Sequence, residues 1–187
     1  MRILEIADVR MGCGFRSKIA HNPKGNVPVI QPKDITNSGL LQVDDICRVE
    51  MSTIKPGQVL AKGDVLLTSR GKFASTVYAG EFKENCVAAG SLLVLTVKAK
   101  LLILPEYLPL YFNSAKGRLE FNRLTERTTI PYLNRSNLEQ MDIPIPPLET
   151  QQKRVALERA KQRYAQLTAR KVDLLNRLIN HQLSTNN

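Results

Sequence analysis

The last fifth of the sequence restricts the fold more than any other stretch. After Glu149 there is no proline or glycine, and Arg, Lys, Gln, Leu and Ala, all strong helix formers, fill most positions. Ile143-Pro144-Ile145-Pro146-Pro147-Leu148-Glu149 opens it. The prolines end whatever precedes, and Pro147 falls at a helix's first turn, where no amide donor is required. Leu157, Ala160, Tyr164, Leu167, Lys171, Leu174, Leu178 and His181 recur on alternating three- and four-residue steps, the a/d seam of a coiled coil. Val155, Val172, Leu175 and Ile179 widen the stripe. At 1.5 Å per residue the helix is roughly 50 Å long, longer than a small domain is wide. Part of its seam therefore calls for a partner helix, with Leu157, Tyr164, Leu167, Leu174 and Leu178 as dimerisation residues. A helix folded back on its own domain is the alternative. Lys171 and His181 in the seam would help to set register and partner choice.

Charge points to the partner. The 187 residues carry a formal net charge of +10, and a protein this basic usually meets a polyanion, nucleic acid before acidic membrane. A solvated basic face with no such partner is the plain alternative. The hydrophobic fraction of 43% is ordinary for a globular chain, so wholesale disorder is not expected. Cys13, Cys47 and Cys86 lie far apart with no C-x-x-C, and His21 and His181 add no clustered ligand set. No metal site is expected, and free thiols suit a reducing cytoplasm. The amino terminus lacks a signal peptide's apolar core, and the most apolar stretch, Leu101 to Phe112, is broken by Pro105, Glu106 and Pro109. No membrane span is expected.

Between residues 1 and 147 the pattern is α+β, a mixed β-rich domain ahead of the one long helix of residues 148–187. Strands are predicted at Val27 to Ile30, within Val43 to Val49, at Val65 to Ser69 with Ala74 to Ala79 as its hairpin partner, and at Ser91 to Val97. From Pro105 the spacing of Tyr107, Leu108, Tyr111, Phe112, Ala115, Leu119 and Phe121 is helical, divided or kinked at Pro109 and Gly117. Thr128 to Leu133 reads as extended. Ser136-Asn137-Leu138-Glu139 has capping-box spacing and predicts a single helical turn. Ile143 to Ile145 reads as a last short strand.

Phosphates set affinity for nucleic acid and base edges set sequence preference, so cations and small polar groups on loops are the candidates. Arg16, Ser17 and Lys18 lie beside Phe15, and Lys33 follows the Val27 strand. Ser69, Arg70 and Lys72 occupy a glycine-containing hairpin tip. Arg123, Arg127, Thr128 and Thr129 lead on to Tyr132, Asn134 and Arg135. Each stretch alone is ordinary solvated loop; together, on a +10 chain, they favour binding. The cations suit phosphates, and the Ser, Thr, Asn and Tyr side chains suit bases.

Catalysis has one candidate. Asp64, Glu81 and Lys83 follow the carboxylate-carboxylate-lysine order of metal-dependent nucleases, in which two acids hold Mg²⁺ and the lysine steadies the attacking water. E-x-K is a common tripeptide, and Asp64 after Gly63 is equally a turn residue. No P-loop, G-x-G-x-x-G, G-x-S-x-G or H-E-x-x-H occurs, nor the Asn/Asp-Pro-Pro-aromatic motif of amino-methyltransferases. The chain reads as non-catalytic. A basic protein-interaction module without DNA preference is a third class.

Several stretches carry a resemblance. They are Gly63-Asp64-Val65-Leu66-Leu67-Thr68-Ser69-Arg70-Gly71, Pro105-Glu106-Tyr107-Leu108 with Phe112-Asn113-Ser114, Thr129-Ile130-Pro131-Tyr132-Leu133-Asn134, and Ile143 through Arg154. In this order and separation they resemble the specificity subunit of a type I restriction-modification system, over essentially the whole chain. The resemblance implies a target recognition domain on double-stranded DNA, with no cofactor of its own. It implies partners too: adenine methyltransferase subunits that bring S-adenosylmethionine and flip the target adenine, and a restriction subunit. The family's usual subunit has two recognition domains and two long helices, each domain reading half of a split site; this chain matches half of that. A homodimer through the helix, with a twofold seam, would restore the pair.

Overall fold

The computed structural model describes residues 1–15, 17–125 and 131–185. It divides into two compact units, Met1–Gln151 and Gln152–Asn187.

The first unit is α+β. The run Leu-Leu-Val-Leu-Thr-Val has apolar residues on both faces and forms β7 (Leu92–Val97), buried except at Thr96. Such a strand belongs inside a sheet. It pairs antiparallel with β1 (Ala7–Met11) on one side and β4 (Val65–Thr68) on the other, and β4 pairs with β5 (Ser75–Val77) in the expected hairpin. The order is β1-β7-β4-β5. A second sheet places β2 (Val27–Ile30) between antiparallel β3 (Cys47–Val49) and parallel β6 (Val87–Ala88). One apolar cluster unites the sheets, with Ile30 and Ala88 from the smaller packed with Leu66, Leu92 and Val94 from the larger.

The helical segment divides elsewhere than expected. α2 (Tyr107–Asn113) ends at Ser114, and α3 (Ala115–Thr125) follows at once. Pro109 sits in the first turn of α2, where its missing N–H is no loss. Gly117 lies in the first turn of α3 because the turn presses on α2: a Cβ there would stand 2.1 Å from the Tyr111 carbonyl oxygen. α4 (Arg135–Gln140) begins earlier than the capping-box reading places it. Its cap is Asn134, whose side chain accepts a 2.8 Å bond from the Asn137 N–H, the usual service of asparagine at a helix start.

The expected strand at Ile143 to Ile145 is absent. The segment instead meets the amino terminus, which a short α1 (Ile3–Ile6) joins to β1. Met1 and Ile143 exchange backbone bonds of 3.2 and 2.9 Å, and the Ile3 N–H donates to the Met141 carbonyl at 3.0 Å. α5 (Leu148–Thr185) is one uninterrupted helix. The first unit ends four residues into it, at Gln151. That carboxamide is fully buried; it accepts from the Leu104 N–H at 2.9 Å and donates to the Leu102 and Pro146 carbonyls at 2.8 Å. From Gln152 onward the helix extends about 50 Å, and Leu157, Tyr164, Leu167, Leu174 and Leu178 are all exposed, Leu157 and Tyr164 by nearly three quarters. No helix among the described residues is long and apolar enough to cross a membrane.

Candidate nucleic-acid interface

β4 is buried along its whole length, so it is a rigid base for the turn that follows it. Thr68 closes that turn from below: its N–H donates to the Ala74 carbonyl, its hydroxyl accepts from the Ala74 N–H, and both bonds are 2.9 Å. Ser69 ties the turn to the start of β7, because its N–H and its hydroxyl both donate to the Ser91 carbonyl, at 3.0 and 2.9 Å. Gly71 has φ of +77° and Phe73 has φ of +43°. The first is natural for glycine; the second is strained for a bulky side chain. Burial of the Phe73 ring, 5.3 Å from that of Phe121, holds it there.

A second segment lies along this turn. Leu133 N–H donates to the Ser69 carbonyl at 2.8 Å, Gly71 N–H donates to the Pro131 carbonyl at 3.3 Å, and Arg70 and Tyr132 form a β-bridge. The Arg70 guanidinium rests over the Tyr132 ring, 4.9 Å from its centroid, within cation–π range. Two stretches that the sequence separates by some sixty residues are thus one platform. Arg70 and Lys72 are exposed on it and Tyr132 is half-buried.

Several sequence candidates have different work. Ser69 is 1% exposed and its hydroxyl is spent on Ser91, so it supports the platform rather than reaching a base. The Asn134 side-chain oxygen caps α4, and the Arg135 Nε lies 2.6 Å from a Glu139 carboxylate oxygen. Arg123 pairs with Glu120 at 2.9 Å. Ser17 and Lys18 are exposed, while Phe15 beside them packs on the cluster of Cys13, Val27, Val29, Val87 and Ala89. Phe15 is an anchor for the loop, not a stacking platform. Lys33 is exposed, 3.9 Å from Asp34, whose carboxyl is pushed above its ordinary range by burial. Arg16, Arg127, Thr128 and Thr129 lie outside the described residues.

The nuclease reading loses its acids. Asp64 is buried, and one carboxylate oxygen accepts from Arg10 at 2.8 Å and from the Ala61 N–H at 3.0 Å. The other accepts from the Thr96 hydroxyl at 2.6 Å. Both oxygens are occupied in a joint between β1, β4 and β7. Glu81 folds back on the Ala79 N–H at 3.1 and 3.2 Å, a local turn bond. Among the described residues no group of three His, Cys, Asp or Glu side chains could hold a metal ion.

Sequence reasoning missed the union of Arg70 with Tyr132 and the part played by Phe73. The first leaves no sequence signal, since periodicity is silent about which distant loops meet. A bulky residue two places after a glycine in a hairpin tip was a weak signal for the second.

The family model for the type I restriction modification DNA specificity domain matches residues 1–171. No curated protein matches significantly. Among solved structures, one described under complex assembly and conformational transition of the type I R-M system aligns with a TM-score of 0.63 at 23% identity. That alignment covers 89% of this chain and 39% of the other. The HsdS subunit from Thermoanaerobacter tengcongensis aligns with a TM-score of 0.59 at 22% identity, over 88% of this chain and 37% of that one. The chain thus spans well under half the length of these two structures, and the likeness to them is one of fold.

Proposed function

The chain belongs to the type I restriction modification DNA specificity family, and from that premise we propose that it is a half-length specificity subunit. In this reading its first unit binds one half of a split target in double-stranded DNA, and α5 pairs with a second copy to present two such units. It directs adenine methyltransferase subunits carrying S-adenosylmethionine, and with them a restriction subunit, to that target in the cytoplasm, and it catalyses nothing itself.

The observation that carries the DNA reading is the rigid platform of residues 69–73 and 131–134, with exposed cations on a chain of net charge +10. Lys18, Lys33 and Lys72 are the phosphate contacts in this account. The pairing reading rests on the exposed apolar seam of Leu157, Tyr164, Leu167, Leu174 and Leu178. A helix that leaves such side chains in water gains by burying them against a second, since each buried leucine contributes about 2 kcal/mol.

A twofold dimer prefers a palindromic site. With about 50 Å of helix between the two heads, the half-sites lie no more than about 15 bp apart. Selection from random duplexes with the full chain is the test. A split palindrome supports the proposal; an unsplit site contradicts it. Binding of equal strength to every duplex, lost at moderate salt, would leave a basic interaction module in its place.

A further inference from the structure

The geometry points to Arg70 as a direct reader of guanine in the major groove, with Tyr132 as the positioning residue that holds its guanidinium. This deepens the DNA-binding reading above and rests on it.

Arginine is a fork. Its N–H groups radiate in the guanidinium plane, and two of them match the O6 and N7 acceptors of one guanine. Reading a base this way is favoured by a guanidinium held in place, an uncommitted edge and a backbone that does not give. Arg70 has all three. The Arg70 guanidinium carbon stands over the Tyr132 ring, 4.9 Å from its centroid, and a cation–π contact commits none of the N–H donors to an acceptor. The backbone is held on both sides, by Ser69 to Ser91 and Leu133, and by Gly71 to Pro131. Beyond lies the strained Phe73, whose buried ring fixes where the turn ends. Ordering that most ligands must impose on an arginine is already in place.

The other arginines described in the first unit differ. Arg2, Arg10, Arg48, Arg118, Arg123 and Arg135 each donate a guanidinium N–H to an oxygen of the protein itself. Arg70 donates none among the described residues, and an aromatic ring takes the place of an acceptor. A phosphate contact needs no such fixation, because a flexible cation reaches a backbone charge equally well. Lys72, two residues on and exposed, fills that role.

Three variants separate the roles, each compared with the parent by selection from random duplexes and by affinity against salt. Arg70→Lys keeps the charge and loses the fork. It should lose preference for guanine at one position of each half-site, by about tenfold or more, with the salt slope unchanged. Tyr132→Phe keeps the ring and should match the parent, whereas Tyr132→Leu should lose preference at that same position. Substituting 7-deazaguanine there should weaken the parent and leave Arg70→Lys unaffected. If Arg70→Lys keeps the parent's preference at every position, or weakens all duplexes alike, Arg70 is a phosphate contact and the inference fails. A parent site with no required guanine overturns it too, while leaving the DNA-binding reading intact. A parent with no sequence preference at all overturns that reading itself.

Discussion

Two ion pairs of nearly equal length mark the difference between the two units. Arg10 and Asp64 stand 2.8 Å apart in the first, with the Asp64 side chain 1% exposed and that of Arg10 28%. Arg177 and Asp173 stand 2.9 Å apart on α5, at 75% and 55%. Distance alone would rank them together. Solvent ranks them far apart, because water and salt screen the second while the first is enclosed. The first unit encloses Asp64 with a partner for each carboxylate oxygen and packs its apolar core internally. The helix beyond Gln152 leaves the Asp173–Arg177 pair and the side chains of Leu157, Tyr164, Leu167, Leu174 and Leu178 in water, and in the proposed reading a second copy covers those apolar ones.

The largest expected effect is all or none. Leu167→Glu with Leu174→Glu puts charge into the seam and should halve the light-scattering mass, leaving a chain that selects a single unsplit half-site. An unchanged mass would erase the contrast, since the exposed face would not then be the pairing face. Next comes Asp64→Ala, which strands Arg10 and should cost about 3 kcal/mol in denaturant unfolding of the first unit. A loss below about 1 kcal/mol would mean that the joint is no stronger than a surface pair.

Alkali should also act on the first unit. Burial pushes the Cys86 thiol up to about 12, helped by the nearby charge of Glu81, and burial likewise pushes the Tyr78 phenol up to about 12. Both groups keep their protons in the folded state after the unfolded chain has begun to release them, from about pH 9 for the thiol. The unfolded state then binds fewer protons, so stability falls as pH rises. The loss should run from about pH 9 to about pH 12, with Cys86→Ser flattening its thiol part. The smallest effect is on the helix: Asp173→Ala should change stability by no more than about 0.5 kcal/mol, and less in high salt.

The two units were also unequally legible. The α5 pattern follows from a helical period sustained over many turns, with no breaker after Glu149, and one helix is what forms. Strands β4, β5 and β7 were readable because a β-rich apolar run next to a glycine-containing turn has few other uses. The reading failed where local sequence competes with packing. Gly117 looked like a break and is a contact, pressed on Tyr111. Ser136 has the spacing of a cap, yet Asn134 does the capping. In the candidate interface, Arg70 and Lys72 could be read as exposed loop cations. That Ser69 turns inward, and that Tyr132 slides under Arg70, depends on pairings between distant segments, and no single stretch encodes those.

In the proposed reading, paired α5 helices set the distance between two recognition units on DNA. Insertion of one heptad between Leu167 and Leu174, read by selection from random duplexes, probes that spacing. The helix gains about 10 Å, so the same two half-sites should return with a gap longer by about 3 bp. The same half-sites at the parental spacing would contradict it.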